Sequence, residues 1–159
     1  MSSNKTSIIL CTYNEEKYIE NSINKLRENI ENLELIIVDD DSSDDTRNII
    51  IRINADNKIN LTHRKKTRGL ASAFSTGLLH CTGKYIGWID TNMSELVPRF
   101  KEMKNLLDTN YDIVILSRYI EGGGDKRTFL RSLSSKYFNK ICSLILGSNV
   151  KDYTSSIFL

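Results

Sequence analysis

Four short polar segments carry residue types that a phosphorylated, hydroxyl-rich ligand requires: Thr12-Tyr13-Asn14-Glu15, Asp39-Asp40-Asp41-Ser42, Asp90-Thr91-Asn92 and Arg118-Tyr119. Carboxylates accept hydrogen bonds from a base ring N–H or from ribose hydroxyls, and a cation or an arginine neutralises a pyrophosphate. The set suits a nucleoside diphosphate sugar. Asp41 and Ser42 are equally suited to capping a following helix. Asp39 and Asp40 are harder to explain that way, because three adjacent carboxylates repel unless a cation or hydrogen-bond donors offset them.

Each of these segments follows an apolar run. Residues 7–11 and 35–38 read as buried parallel strands, and between them Asn14 is placed to cap a helix with Glu15 and Glu16 in its first turn and Tyr18, Ile19, Ile23, Leu26 and Ile30 at helical spacing. The alternation continues with a helix at 44–54, a strand at 59–63, a helix at 70–81, a strand at 85–89, a helix at 96–107 that Pro98 is placed to open, and a buried strand at 112–117. Five strands with intervening helices predict an α/β fold, Rossmann-like and doubly wound, with a mostly parallel sheet and helices on both faces. In such a sheet ligands settle beyond the carboxyl ends of the strands, where the polar segments fall. With 159 residues, no repeat and no Pro/Gly/Ser-rich linker, a single domain is expected.

Beyond Ser117 the glycines at 122–124 mark a loop able to act as a flap, and helical periodicity resumes over 131–146. Its stripe of Leu133, Tyr137, Phe138, Ile141, Leu144 and Ile145 is wide enough for core or for a membrane-facing surface, and core is the expectation. A net charge of +2 argues against nucleic acid as a partner. The basic run from His63 to Arg68 is therefore local, either a solvated loop or a dedicated patch. Three widely spaced cysteines fit neither a disulfide framework nor a zinc set, and a reducing cytosol is expected. Cys81, Cys142 and Trp88 read as core, and His63 and His80 as surface or hydrogen-bonded histidines. The N-terminus reads as a strand rather than a leader, and no apolar run approaches the roughly 20 residues that span a bilayer.

Cys11-Thr12-Tyr13-Asn14-Glu15, followed by Val38-Asp39-Asp40-Asp41-Ser42-Ser43-Asp44-Asp45-Thr46, resembles the opening of family-two glycosyltransferases of GT-A fold. Arg68-Gly69-Leu70-Ala71-Ser72-Ala73, Gly83-Lys84-Tyr85-Ile86, Ser117-Arg118-Tyr119 and Asp152-Tyr153-Thr154-Ser155 are similar to the polyprenyl (dolichyl) phosphate mannose synthase branch, so the resemblance spans nearly the whole chain. It implies inverting transfer of a hexose, typically mannose from GDP-mannose, to the phosphate of a membrane polyprenol, with peripheral contact at the cytoplasmic face of a membrane. By position it implies that Tyr13, Glu15 and Asp40 hold the nucleoside with Thr12 and Asp39 in support, and that Arg68 lies on a diphosphate-side loop, where plain solvation is the alternative. Asp90 and Asn92 would hold Mg²⁺ or Mn²⁺ beside the diphosphate, and Arg118, Arg131 and Ser135 would grip the acceptor phosphate.

A phosphate acceptor is already an anion and needs no general base, so positioning and leaving-group neutralisation suffice. A relative acting on a glycan or protein hydroxyl would need such a base. Three departures stand out. The acidic D-x-D metal signature reads Asp90-Thr91-Asn92, Cys11 replaces a proline, and Ser156 stands where glycine is usual. The first raises the alternative of a nucleotide-binding domain with weak or no activity. The resemblance also implies further strand, helix and basic residues beyond Leu159, so a fragment or a minimal version is expected.

Overall fold

The computed structural model describes residues 4–56, 58–65, 69–124 and 128–159. Its elements run β1 (Thr6–Thr12), α1 (Ile19–Asn29), β2 (Leu33–Asp39), α2 (Thr46–Ile53), β3 (Ile59–His63), α3 (Leu70–Leu78), β4 (Tyr85–Ile89), a 3₁₀ helix (Thr91–Arg99), α4 (Phe100–Leu107), α5 (Phe129–Leu146) and β5 (Ile157–Phe158). The sheet order is β3-β2-β1-β4-β5, parallel except for β5. The expected mixed α/β, GT-A-like architecture is present.

Consecutive Ile8, Ile9 and Leu10 on β1 are all fully buried, which requires cover on both faces of the sheet. Successive side chains alternate, so Ile8 and Leu10 join Ile19, Ile23 and Leu26 of α1 and Phe100 and Met103 of α4 on one side. Ile9 meets Ile36, Val38 and Ala73 of α3 on the other. Each such aliphatic side chain contributes roughly 1.5–3 kcal/mol on burial, and this term fixes register, because a one-residue slip would turn the set inside out. The register then aligns the carboxyl ends of three strands: Thr12 lies opposite Asp39, and Asp39 opposite His63.

Four expectations are corrected. Asn14 does not cap α1, which begins five residues later; it takes a left-handed conformation (φ 58°) and bonds across to Ser42 and Ser43. The helix expected at 96–107 is a 3₁₀ helix as far as Arg99 and becomes α-helical from Phe100, so Pro98 stands just before α4, near the opening expected of it. Residues 112–117 are half-buried or exposed rather than buried, but 114–116 do run beside β5: the Val114 N–H donates to the Leu159 carbonyl at 2.8 Å, the Leu159 N–H to Val114 at 3.0 Å and the Leu116 N–H to Ile157 at 3.1 Å. β5 lies between that segment and β4, against Gly87, where a Cβ would approach the Phe158 carbonyl oxygen to 2.9 Å.

The stripe of α5 is not core. Only Asn139 of this helix is buried, while Tyr137, Phe138, Ile141, Leu144 and Ile145 are each more than half exposed. With α1 and α4 against one sheet face and α3 against the other, α5 is left without a sheet surface to cover. Its tie to the fold is polar. Asn139 donates to Asp152 and accepts the Tyr153 N–H at 2.8 Å. Trp88 does pack as expected, against Phe74 and Phe158.

Candidate functional site

The loops after β1, β2 and β4 surround a cleft of about 430 Å³ lined by Thr12, Tyr13, Glu15, Asp40, Asp90 and Asn92, with Cys11 and Thr91 between them and Gly69, Leu70 and Ala73 as an apolar wall. Six of the expected site residues are thus brought together by the parallel register. Asp39, Arg118, Arg131 and Ser135 lie outside this lining. Arg68 and Lys66 fall outside the described residues.

Asp39 acts beneath the cleft. Fully buried, it accepts bonds from the Thr12 hydroxyl at 3.0 Å, the Ser42 N–H at 3.0 Å and the Ser42 hydroxyl, and so fastens the β1 loop to the β2 loop. Asp40 emerges one residue later. Its Oδ1 accepts from Arg64 Nε at 2.7 Å and from Arg64 Nη2, and its Oδ2 accepts the Gly69 N–H at 2.8 Å. Gly69 has φ 119°, a conformation other residues rarely adopt, and this turns its N–H onto the carboxylate. Arg64 also donates to Ser72 at 3.0 Å, so the cation offsetting the acidic run is held by α3.

Arg64 is not among the expected site residues, because the basic run from His63 to Arg68 reads as a solvated loop or a dedicated patch. Its signal was available, since it directly follows β3 as the other site segments follow their strands. His63 before it meets Asp41 at 2.8 Å and Arg47, a hydrogen-bonded histidine as expected. Asp41, with φ 62°, therefore serves the β3 tail rather than capping α2.

Glu15 accepts a bond from the Thr91 hydroxyl at 2.8 Å, while its N–H donates to Thr46 at 2.8 Å, linking the β1 loop to the 3₁₀ helix and α2. Burial pushes the Asp90 carboxyl above the usual carboxylate range, against a Ser156 hydrogen bond that pulls it down. Burial, aided by the charges of Asp40 and Asp90, raises the Cys11 thiol to about 12. That thiol is therefore a neutral part of the cleft floor at physiological pH.

Arg118 is anchored rather than aimed at the cleft. Its Nε and Nη2 each lie 2.8 Å from an oxygen of buried Asp152, and Nη2 also donates to Thr154. The same 152–156 segment carries Ser156 to Asp90, so Arg118 joins the cleft wall through that strap. Arg131 is exposed and Ser135 half-buried on α5.

Asp90 and Asn92 offer hard oxygens to the cleft, but among the described residues no three His, Cys, Asp or Glu side chains gather as a metal cage. One carboxylate and an amide fit an ion of the Mg²⁺ or Mn²⁺ type only where substrate phosphates complete the shell.

The model of the family described as "Glycosyl transferase family 2" matches residues 7–159. A dolichol-phosphate mannosyltransferase of Pyrococcus furiosus is 29% identical over 97% of this chain, which spans 45% of that relative's length. Among solved structures, the mannosyltransferase PcManGT of Pyrobaculum calidifontis, in complex with GDP-Man and Mn²⁺, superposes with a TM-score of 0.59 and 26% identity over 71% of this chain and 35% of its own. Glucosyl-3-phosphoglycerate synthase of Mycobacterium tuberculosis, in complex with UDP, reaches a TM-score of 0.73 at 20% identity over 99% of this chain and 56% of its own, a likeness of fold. An acidic cleft at the carboxyl edge of a wound sheet and a family match running from Ser7 to Leu159 lead to one conclusion: this chain belongs to glycosyl transferase family 2.

Proposed function

We propose that this chain is the nucleotide-sugar-binding part of an inverting hexosyltransferase that moves mannose from GDP-mannose to a polyprenyl phosphate at the cytoplasmic face of a membrane. The observation that carries the reading is the cleft itself, where Glu15, Asp40 and Asp90 converge from three strand ends beside an apolar wall. The relatives include a dolichol-phosphate mannosyltransferase and a GDP-Man complex, which support the donor and acceptor named.

In this reading Tyr13 and Glu15 position the nucleoside, and Asp40, held rigid by Arg64 and Gly69, accepts from the base or ribose. Thr12 and Asp39 brace the two loops from below. Asp90 and Asn92 face the diphosphate. Asp90 and Asn92 would hold a divalent cation there together with the diphosphate, and it would supply charge neutralisation to the leaving nucleotide. Arg131 and Ser135 of α5 orient the acceptor phosphate in line with the anomeric carbon, while Arg118, paired with Asp152, holds the strap beside them. The acceptor oxygen is already anionic, so no residue need remove a proton, and alignment supplies the rate.

Transfer of labelled mannose from GDP-mannose to polyprenyl phosphate, with Mg²⁺ or Mn²⁺, tests the proposal. Product formation from that donor supports it. No binding or consumption of either GDP-mannose or UDP-hexose ends it. A second reading, a domain that binds nucleotide with little turnover, is favoured by one feature: Asn92 supplies an amide where a carboxylate would hold the cation more tightly. GDP binding without transfer, cured by Asn92→Asp, would select it.

A further inference from the structure

Two polar rows run along α5. Arg131 and Ser135 form one, and Lys136 and Lys140 another, one residue and so about 100° further round the helix. The second row lines a separate recess of about 310 Å³, closed by Tyr119 and by residues 149–151. Lys136, Lys140 and Lys151 all face this volume. Among the described residues none of the three forms an ion pair with a carboxylate. Asp152, next in sequence to Lys151, is committed to Arg118. Lys136 lies 5.8 Å from the Tyr119 ring centre, and Arg118, its charge already met by Asp152, 5.3 Å from the same ring. Like charges in one recess repel, and an anion relieves that repulsion.

Beside the lysine row, α5 exposes Leu133, Tyr137, Ile141, Leu144 and Ile145, the last two each 76% exposed. Among the described residues no helix is long and apolar enough to cross a membrane. An apolar strip flanked by lysines instead suits a helix lying in the bilayer interface, with its ammonium groups at the level of the lipid phosphates.

We propose that this recess binds the phosphate of an anionic lipid headgroup, whose acyl chains lie against the exposed strip of α5. The inference rests on the membrane setting proposed above, but its site is separate from the acceptor row of Arg131 and Ser135. The ligand is bulk membrane lipid, and its binding lays α5 flat on the surface from which a lipid-linked acceptor would be drawn.

Flotation of the chain with phosphatidylcholine vesicles, alone or mixed with phosphatidylglycerol, tests this without nucleotide sugar present. Preference for the anionic vesicles is expected. The triple variant K136Q/K140Q/K151Q should lose roughly a hundredfold in partition to them, at about fivefold per lysine near an anionic surface. The variant K136R/K140R/K151R should retain partition, and Leu144→Ser with Ile145→Ser should weaken it on both vesicle types. Equal partition of the chain and its triple glutamine variant overturns the proposal. So does saturable binding of inorganic phosphate at the α5 amides, followed by NMR, in a chain that ignores vesicles, which would assign the recess to a soluble phosphate compound. A chain that partitions as expected yet transfers no sugar keeps this inference and ends the activity reading alone.

Discussion

Arg118 meets Asp152 through two parallel hydrogen bonds of 2.8 Å, and the carboxylate is fully buried beneath it. This pair joins the segment after Leu116 to the strap that carries Ser156 to Asp90, so a contact outside the cleft sets the position of a carboxylate inside it.

Burial pushes the Asp152 carboxyl up, but bonds from Arg118 and Thr154 overcome this and bring it down to about 2. A carboxyl depressed in the folded state stabilises the fold above its unfolded pKa, near 4, and loses that contribution as pH falls toward 2. Asp152→Asn should therefore cost about 2–3 kcal/mol at neutral pH and flatten the acid limb of the stability curve between roughly pH 4 and pH 2. Urea titrations across that range check both effects.

Arg64 and Asp40 are both nearly buried, with side chains 9% and 10% exposed. Asp40→Ala leaves a guanidinium unpaired and should cost about 3 kcal/mol of stability as well as nucleotide binding. Arg64→Lys keeps the charge but loses the two-point fork, so its expected signature is weaker nucleotide binding with a smaller loss of stability. Thermal unfolding with and without GDP or UDP separates the two, because a ligand that binds the folded form raises the midpoint.

Asn92 shares the cleft with Asp90 and supplies one neutral oxygen there. Asn92→Asp should tighten the Mn²⁺-dependent part of nucleotide affinity by about tenfold, since a carboxylate is the stronger ligand for a hard cation. Calorimetric titration of nucleotide in the presence and absence of Mn²⁺ reads this directly, and unchanged affinity would place the cation elsewhere.

Gly87 leaves room for the Phe158 carbonyl oxygen and the Leu159 side chain. Gly87→Ala forces a Cβ to within 2.9 Å of that backbone oxygen, so β5 must shift. A loss of about 1–3 kcal/mol is expected from the overpacking, together with faster amide exchange at Phe158 and Leu159.

Cys11 holds its proton in the cleft floor, with a thiol raised to about 12. Alkylation by iodoacetamide at pH 8 should run at least about tenfold slower than for an ordinary exposed thiol, because the thiolate is the reacting species. Peptide mapping after timed quenching measures the rate at Cys11 itself.

The amino-acid sequence by itself determined the wound sheet and the polar edge. Local signals are strong there: apolar runs such as Ile8-Ile9-Leu10 demand burial on both faces, and the residues after each run must emerge at one rim. Thr12, Tyr13, Glu15, Asp40, Asp90 and Asn92 are therefore legible in the sequence as neighbours. Only the tertiary structure decided what depends on partners distant in sequence. Arg64 meets Asp40, 24 positions away, beside the turn at Gly69 that brings a backbone N–H to the same carboxylate, and Arg118 is claimed by Asp152, 34 positions away. The apolar stripe of α5 has the periodicity of a core helix, yet periodicity states only that one face is apolar. Whether another layer covers that face is settled by how many faces the sheet has left to offer, and here α1, α4 and α3 had already taken both.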